Sequence, residues 1–350
     1  MAERSRRQFM KSAAGVTALA ITGGTAGCMD RVPFVGDTSV PEAVPEDGDA
    51  VIYADVTTVL DDEGVRTLTN AYLDQQSEYE YYDGPTDFED ALSAFEDEAD
   101  FDVSQITEAT TFFGYGDAGT VDNSYAGVRL EIDITVDDLV EALEDSGDDE
   151  FDEEAYGGQT VYVSADEQTW VGVLSADGSV VAGTEDAVKD TIDLTNGDED
   201  PMDEELQSAY DGARSAPFRF AARVPSTGED ELLPEATEQP SGDGEYDLSV
   251  FDDVETVAGS VYRDGTLRGM EVDFNAEDAD TAADLAELLE DLQSDWVAAL
   301  EDSGSDEQAV DDAVTILEEV TIEQSDATVT VGLEKEIDEL EGLIEAYAGP

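Results

Sequence analysis

Val254-Glu255-Thr256-Val257-Ala258-Gly259-Ser260-Val261-Tyr262-Arg263 and, two residues on, Thr266-Leu267-Arg268-Gly269-Met270-Glu271-Val272-Asp273-Phe274 decide the fold. Both runs are rich in β-branched and aromatic residues and read as paired antiparallel strands. A long amphipathic helix follows from Asp280 to Leu300, with Leu285, Leu288, Leu289, Leu292, Trp296 and Leu300 on its apolar stripe. A hairpin, Val320–Gln324 with Ala327–Leu333, and a helix from Ile337 to Tyr347 close the chain.

The first half has the same order. Ala50–Val56 is a β-rich run, as is Phe218–Val224 before the quoted stretch. Helical spacing covers Glu63–Gln75 and resumes after Asp87 with Phe88, Leu92 and Phe95. Strands at Ala109–Tyr115 and Tyr125–Ile134 lead to a helix over Val136–Leu143, capped by Thr135. Strands then run over Gln159–Ser164, Thr169–Leu174 and Val180–Gly183, and Thr184 opens a helix to Leu194. A further helix covers Asp203–Ala213. Strand, helices, strand pair, helix, strand pair, helix thus occurs twice. The expected class is α+β, with antiparallel sheets, helices on one face and a duplicated unit. Residues 47–214 form the first unit and 215–350 the second. The Gly-, Pro- and acid-rich segment from Pro225 to Asp247 is expected to be an unstructured surface loop.

The 350 residues hold 91 Asp and Glu against 14 Lys and Arg, a net charge of −77. Because the acids respect the strand and helix periods, the chain reads as folded, with an acidic skin. Such a skin repels itself and opposes compactness. At about 1 M salt the Debye length falls to about 3 Å and the repulsion is quenched. The composition resembles that of proteins from extremely halophilic archaea. It also excludes nucleic acid, which is bound through Lys and Arg on phosphates, since the sequence shows no basic stripe.

Ser5-Arg6-Arg7-Gln8-Phe9-Met10-Lys11 resembles the twin-arginine export signal, which carries folded proteins, with Arg6, Arg7, Phe9 and Lys11 as its signature. An apolar stretch of small residues, Ala13 to Ala26, is too short to span a membrane and fits a signal-peptide core. Thr25-Ala26-Gly27-Cys28 looks like a lipobox, with Thr25 where that family usually has Leu. The resemblance implies cleavage after residue 27 and a lipid on Cys28, the only cysteine. Residues 28–46, with Pro33, Pro41 and Pro45, read as anchor and extended tether. The whole is similar to twin-arginine-exported haloarchaeal lipoproteins of a two-repeat α+β family, placed on the outer face of the cytoplasmic membrane.

Little in the chain carries chemistry. Without histidine there is no Ser-His-Asp or Cys-His set and no zinc site. Lys189 and Lys335, placed in helices among acids, read as ordinary ion-pair partners. Asp193–Asp198 has its glycine one place too early for a calcium loop, and Gly114-Tyr115-Gly116 lacks the third glycine of a dinucleotide turn. No cofactor or metal is expected. The cluster Tyr79, Tyr81 and Tyr82 is the candidate binding surface, for a partner protein or a sugar polymer. These features favour a non-catalytic surface lipoprotein with a binding or envelope-structural role. A carboxylate-based polysaccharide hydrolase is the first alternative; it needs two buried acids with separated pKa values. The second is a transporter's substrate-binding lipoprotein, which usually has two lobes with parallel sheets.

Overall fold

The computed structural model describes residues 40–77, 84–99, 102–115, 121–135, 138–139, 151–165, 168–175, 178–224, 236–238, 245–302 and 307–347. One antiparallel sheet of twelve strands organises it, in the order β13-β14-β12-β11-β8-β1-β2-β3-β7-β6-β5-β4. At its centre β1 (Ala50–Asp55) pairs with β8 (Phe218–Arg223). Outward from β1 come β2 (Ile106–Tyr115), β3 (Val121–Ile132), β7 (Ser179–Gly183) and β6 (Trp170–Val173). Outward from β8 come β11 (Val254–Asp264), β12 (Leu267–Ala276), β14 (Thr328–Glu336) and β13 (Thr321–Ser325). The hairpin of β4 (Phe151–Tyr156) and β5 (Gln159–Ser164) extends the first half alone. Up to that hairpin, the strands outward from β1 and those outward from β8 follow the same chain order. The two expected units share a single sheet.

Among the described residues eight α-helices complete the fold: α1 (Val56–Leu60), α2 (Glu63–Ser77), α3 (Phe88–Ala99), α4 (Glu185–Asn196), α5 (Glu204–Gly212), α6 (Ala279–Asp302), α7 (Glu307–Glu319) and α8 (Ile337–Tyr347). The class is α+β, as expected. The expectation of helices on one face needs correction. Val51 and Tyr53 of β1 pack in one core with Val188 and Ile192 of α4 and Leu206 and Tyr210 of α5. Ile52 and Ala54, pointing the other way, pack with Val56 and Leu60 of α1 and Leu92 and Phe95 of α3. Successive strand residues face opposite sides, so an all-apolar run such as Val51–Ala54 must be covered twice. We call the α4–α5 side the first face and the α1–α3 side the second. α6 also lies on the second, with Ala282 and Leu285 against Phe274 and Val329.

Other expectations are adjusted. The tether does not reach Glu46 unpacked: Val44 is fully buried, and the Met202 amide donates to its carbonyl at 2.8 Å. Lys335 lies in β14, not in a helix. Two three-residue strands, β9 (Ala236–Glu238) and β10 (Glu245–Asp247), pair within the segment expected to be structureless. Gly197, the misplaced glycine of the calcium-loop comparison, ends α4 with φ 79°. Acids occupy both sheet edges, Asp152–Glu154 on β4 and Glu323 on β13, and discourage pairing with another chain.

Candidate functional site

The second face carries an apolar floor that the helices leave partly open. One row in register across six strands runs Ile52, Phe220, Gly259, Val272, Val331, Ile322. Its neighbour runs Ala54, Phe218, Val261, Met270, Leu333. Helix α1 and its neighbours bury the β1 end, where Ala54 and Phe218 sit. Over β11, β12 and β14 cover thins: Val261, Val272, Val331 and Leu333 are half-buried and Met270 is 49% exposed. Gly259 keeps the floor flat, since a Cβ there would stand 2.7 Å from the Phe220 ring. At the usual strand spacing, six strands make this floor about 24 Å long.

Helices ring the floor. α6 packs on one end of β12 and β14, while α8 packs on α2 beyond their other end. α7 makes its main contacts with α6 and α8, not with the sheet. Gln293 of α6 ties the pair together, its amide donating to the carbonyls of Leu317 and Val320. Further along α6, Trp296 is 52% exposed.

A charged row borders the floor. Arg263, Arg268 and Lys335 stand opposite one another on β11, β12 and β14, on the same face as Met270. Asp62, from the corner between α1 and α2, accepts from Arg268 at 2.7 Å and from Arg263. It also accepts from the amides of Gly64 and Val65, at 2.5 and 3.1 Å. Gly64 lets the corner pack directly on Arg268, since a Cβ would stand 2.2 Å from the guanidinium. Lys335, with a side chain only 6% exposed, pairs with Glu319 at the end of α7.

The first face holds the acids a hydrolase would need. Asp55, Glu108 and Glu131 stand in register on β1, β2 and β3. Burial pushes the Glu108 carboxyl up, as do the charges of Asp55 and Glu131. Beside them burial drives the Tyr53 and Tyr210 hydroxyls far above their ordinary range, and the Arg219 guanidinium lies 4.3 Å from the Tyr210 ring centre. Both flanking carboxylates have structural work. Asp55 caps α1, taking the Thr58 amide at 2.9 Å and hydroxyl at 2.7 Å. Glu131 takes Arg129 at 3.2 Å and the Ser179 hydroxyl at 2.8 Å. The cluster thus places one raised acid beside two hydrogen-bonded carboxylates. Lys189 makes the expected pair with Glu185 and also lies over the Trp170 ring, at 4.8 Å.

The residues singled out in the sequence, Arg6, Arg7, Phe9, Lys11, Cys28, Tyr79, Tyr81 and Tyr82, lie outside the described residues. The floor was missed. Its signal was present, since positions 270, 272 and 274 and 329, 331 and 333 are all apolar on one face of their strands. No helix among the described residues is long and apolar enough to cross a membrane.

No protein-family model matches the chain, and no curated protein matches it. Among solved structures it is similar to crystal forms I, III and IV of TP0453, at 8%, 8% and 10% identity. The TM-scores are 0.43, 0.41 and 0.43, over 90%, 89% and 88% of this chain and 99%, 99% and 97% of that one.

Proposed function

We propose that this is a non-catalytic cell-surface lipoprotein of a salt-loving cell, exported folded, anchored through Cys28 outside the cytoplasmic membrane, and built to bind an apolar or amphipathic ligand on the second face of its sheet. The observation that carries the binding role is the half-covered floor of Val261, Met270, Val272, Val331 and Leu333. A contiguous apolar surface left open in the middle of a sheet, on a chain of net charge −77, is the mark of a ligand or partner site.

Nile red, a neutral dye that brightens in apolar surroundings, tests the floor. In molar salt the mature chain is expected to brighten it saturably, and Val272→Asp to weaken binding at least about tenfold by placing a charge in the floor. Failure of the parent protein to brighten the dye, or equal binding by the variant, would contradict the reading. Incorporation of radiolabelled lipid at Cys28 checks the anchor.

A further inference from the structure

We infer that the ligand is an amphiphile with an apolar chain and one anionic head group, its chain on the open floor over β11, β12 and β14 and its head at Arg263, beside Arg268 and Lys335. This rests on the binding role proposed above and names the ligand's chemistry.

Three observations carry it. The first is the distribution of charge. Nine Lys and Arg fall among the described residues, and three of them stand side by side in register along one border of the floor. Like charges directly opposite on neighbouring strands are destabilising. On a chain this poor in cations, such a row calls for more negative charge than its own partners supply. Asp62 serves Arg263 and Arg268, and Glu319 serves Lys335, so the ion pairs set two carboxylates against three cations.

The second observation is unused donor capacity. Arg268, with a side chain 5% exposed, donates to Asp62 and to the carbonyls of Gly265 and Leu267, and its Nε is buried without a partner, so the donors within a ligand's reach are those of Arg263. Arg263, one-third exposed, engages Asp62 through one terminal nitrogen. A guanidinium offers five N–H donors in a fixed fork suited to carboxylate or phosphate. Glu319 is 48% exposed on the last turn of α7, where it can turn outward and leave Lys335 to an incoming anion.

The third is scale. The open part of the floor, over β11, β12 and β14, is about 10 Å across at the usual strand spacing, and the cationic border runs along the same three strands, so an apolar chain can lie there with its head at that border. Partly buried charges are screened by salt far less than exposed ones, so the row keeps its preference for an anion in brine.

The test compares two fluorescent probes with the same chain, cis-parinaric acid and parinaryl alcohol, titrated into the mature protein at neutral pH in molar NaCl. Both are expected to bind, the acid about tenfold tighter or more, the worth of a hydrogen bond between charged groups. Arg263→Gln and Lys335→Gln should each remove most of that advantage and leave the alcohol's affinity unchanged. Lys335 is buried, so if its variant does not fold, Arg263→Gln, at a site one-third exposed and checked by its melting curve, decides alone. Equal affinity for acid and alcohol, or variants that weaken both equally, would overturn the anionic head group and leave the binding floor standing. Binding of neither probe would overturn the floor itself.

Discussion

Asp62→Ala is expected to destabilise the fold by about 3–5 kcal/mol, the cost of leaving a buried charge without its partner. For a body of this size that lowers the melting midpoint by on the order of 10 °C. Asp62 is 2% exposed and joins two pieces of chain that are distant in sequence, its own corner and the β11–β12 hairpin. It caps the start of α2 through the amides of Gly64 and Val65, and it holds Arg263 and Arg268 on the two longest strands of the second half. Removing it strands Arg268, which has almost no access to water. Arg263→Ala should cost far less, because its side chain is one-third exposed and paired charges near water contribute little. Melting curves of the two variants in molar salt check this. A loss below about 1 kcal/mol for Asp62→Ala would show that the clamp does not hold the halves together.

Transfer from about 1 M to about 0.1 M salt is expected to abolish the cooperative melt of the mature chain, and added KCl to restore it. The Debye length grows from about 3 Å to about 10 Å over that change, so carboxylates spread over the whole surface begin to repel one another. Acidification at low salt should rescue the fold in part, and the sign follows from individual groups. Burial raises the carboxyls of Glu108, Asp190 and Glu205. Their stabilising effect is therefore complete below the unfolded carboxylate pKa and is lost as pH rises through the raised folded value. Asp102, Asp247 and Asp278 are held low by the serine or threonine groups they cap. Their contribution is present above the unfolded pKa and fades as pH falls through the lowered value. Stability at low salt should consequently peak between the two sets, inside the carboxylate range. A melt indifferent to salt would remove the saline habitat from the account.

Local structure was legible wherever one period ruled. The quoted stretch became β11 and β12 within two residues at either end, and Ile337–Tyr347 became α8 as read. α7 was missed although Val310, Val314 and Leu317 recur at helical spacing, because acids fill the intervals. β4, Phe-Asp-Glu-Glu-Ala-Tyr, was missed because it is an acid-guarded edge whose pairing comes wholly from β5. The second helical layer was hidden for another reason. Alternation shows which residues share a face, but Val51–Ala54 do not alternate, and a run apolar throughout signals cover on both sides. The site was the least legible part. Ile52, Phe220, Val272 and Val331 lie nearly 280 residues apart at the extremes and meet only through strand order, and the openness above Met270 depends on where α6 and α8 land.

The most direct test of the binding floor is the methyl spectrum of methionine-labelled protein during titration with parinaryl alcohol in molar salt. Met270 stands half-exposed on the second face, and Met202 is fully buried beneath α5 on the first, so each molecule carries its own control. The Met270 methyl is expected to shift saturably with the Met202 methyl unmoved. A Met270 signal that stays in place at saturating probe, or moves only together with Met202, would contradict the account.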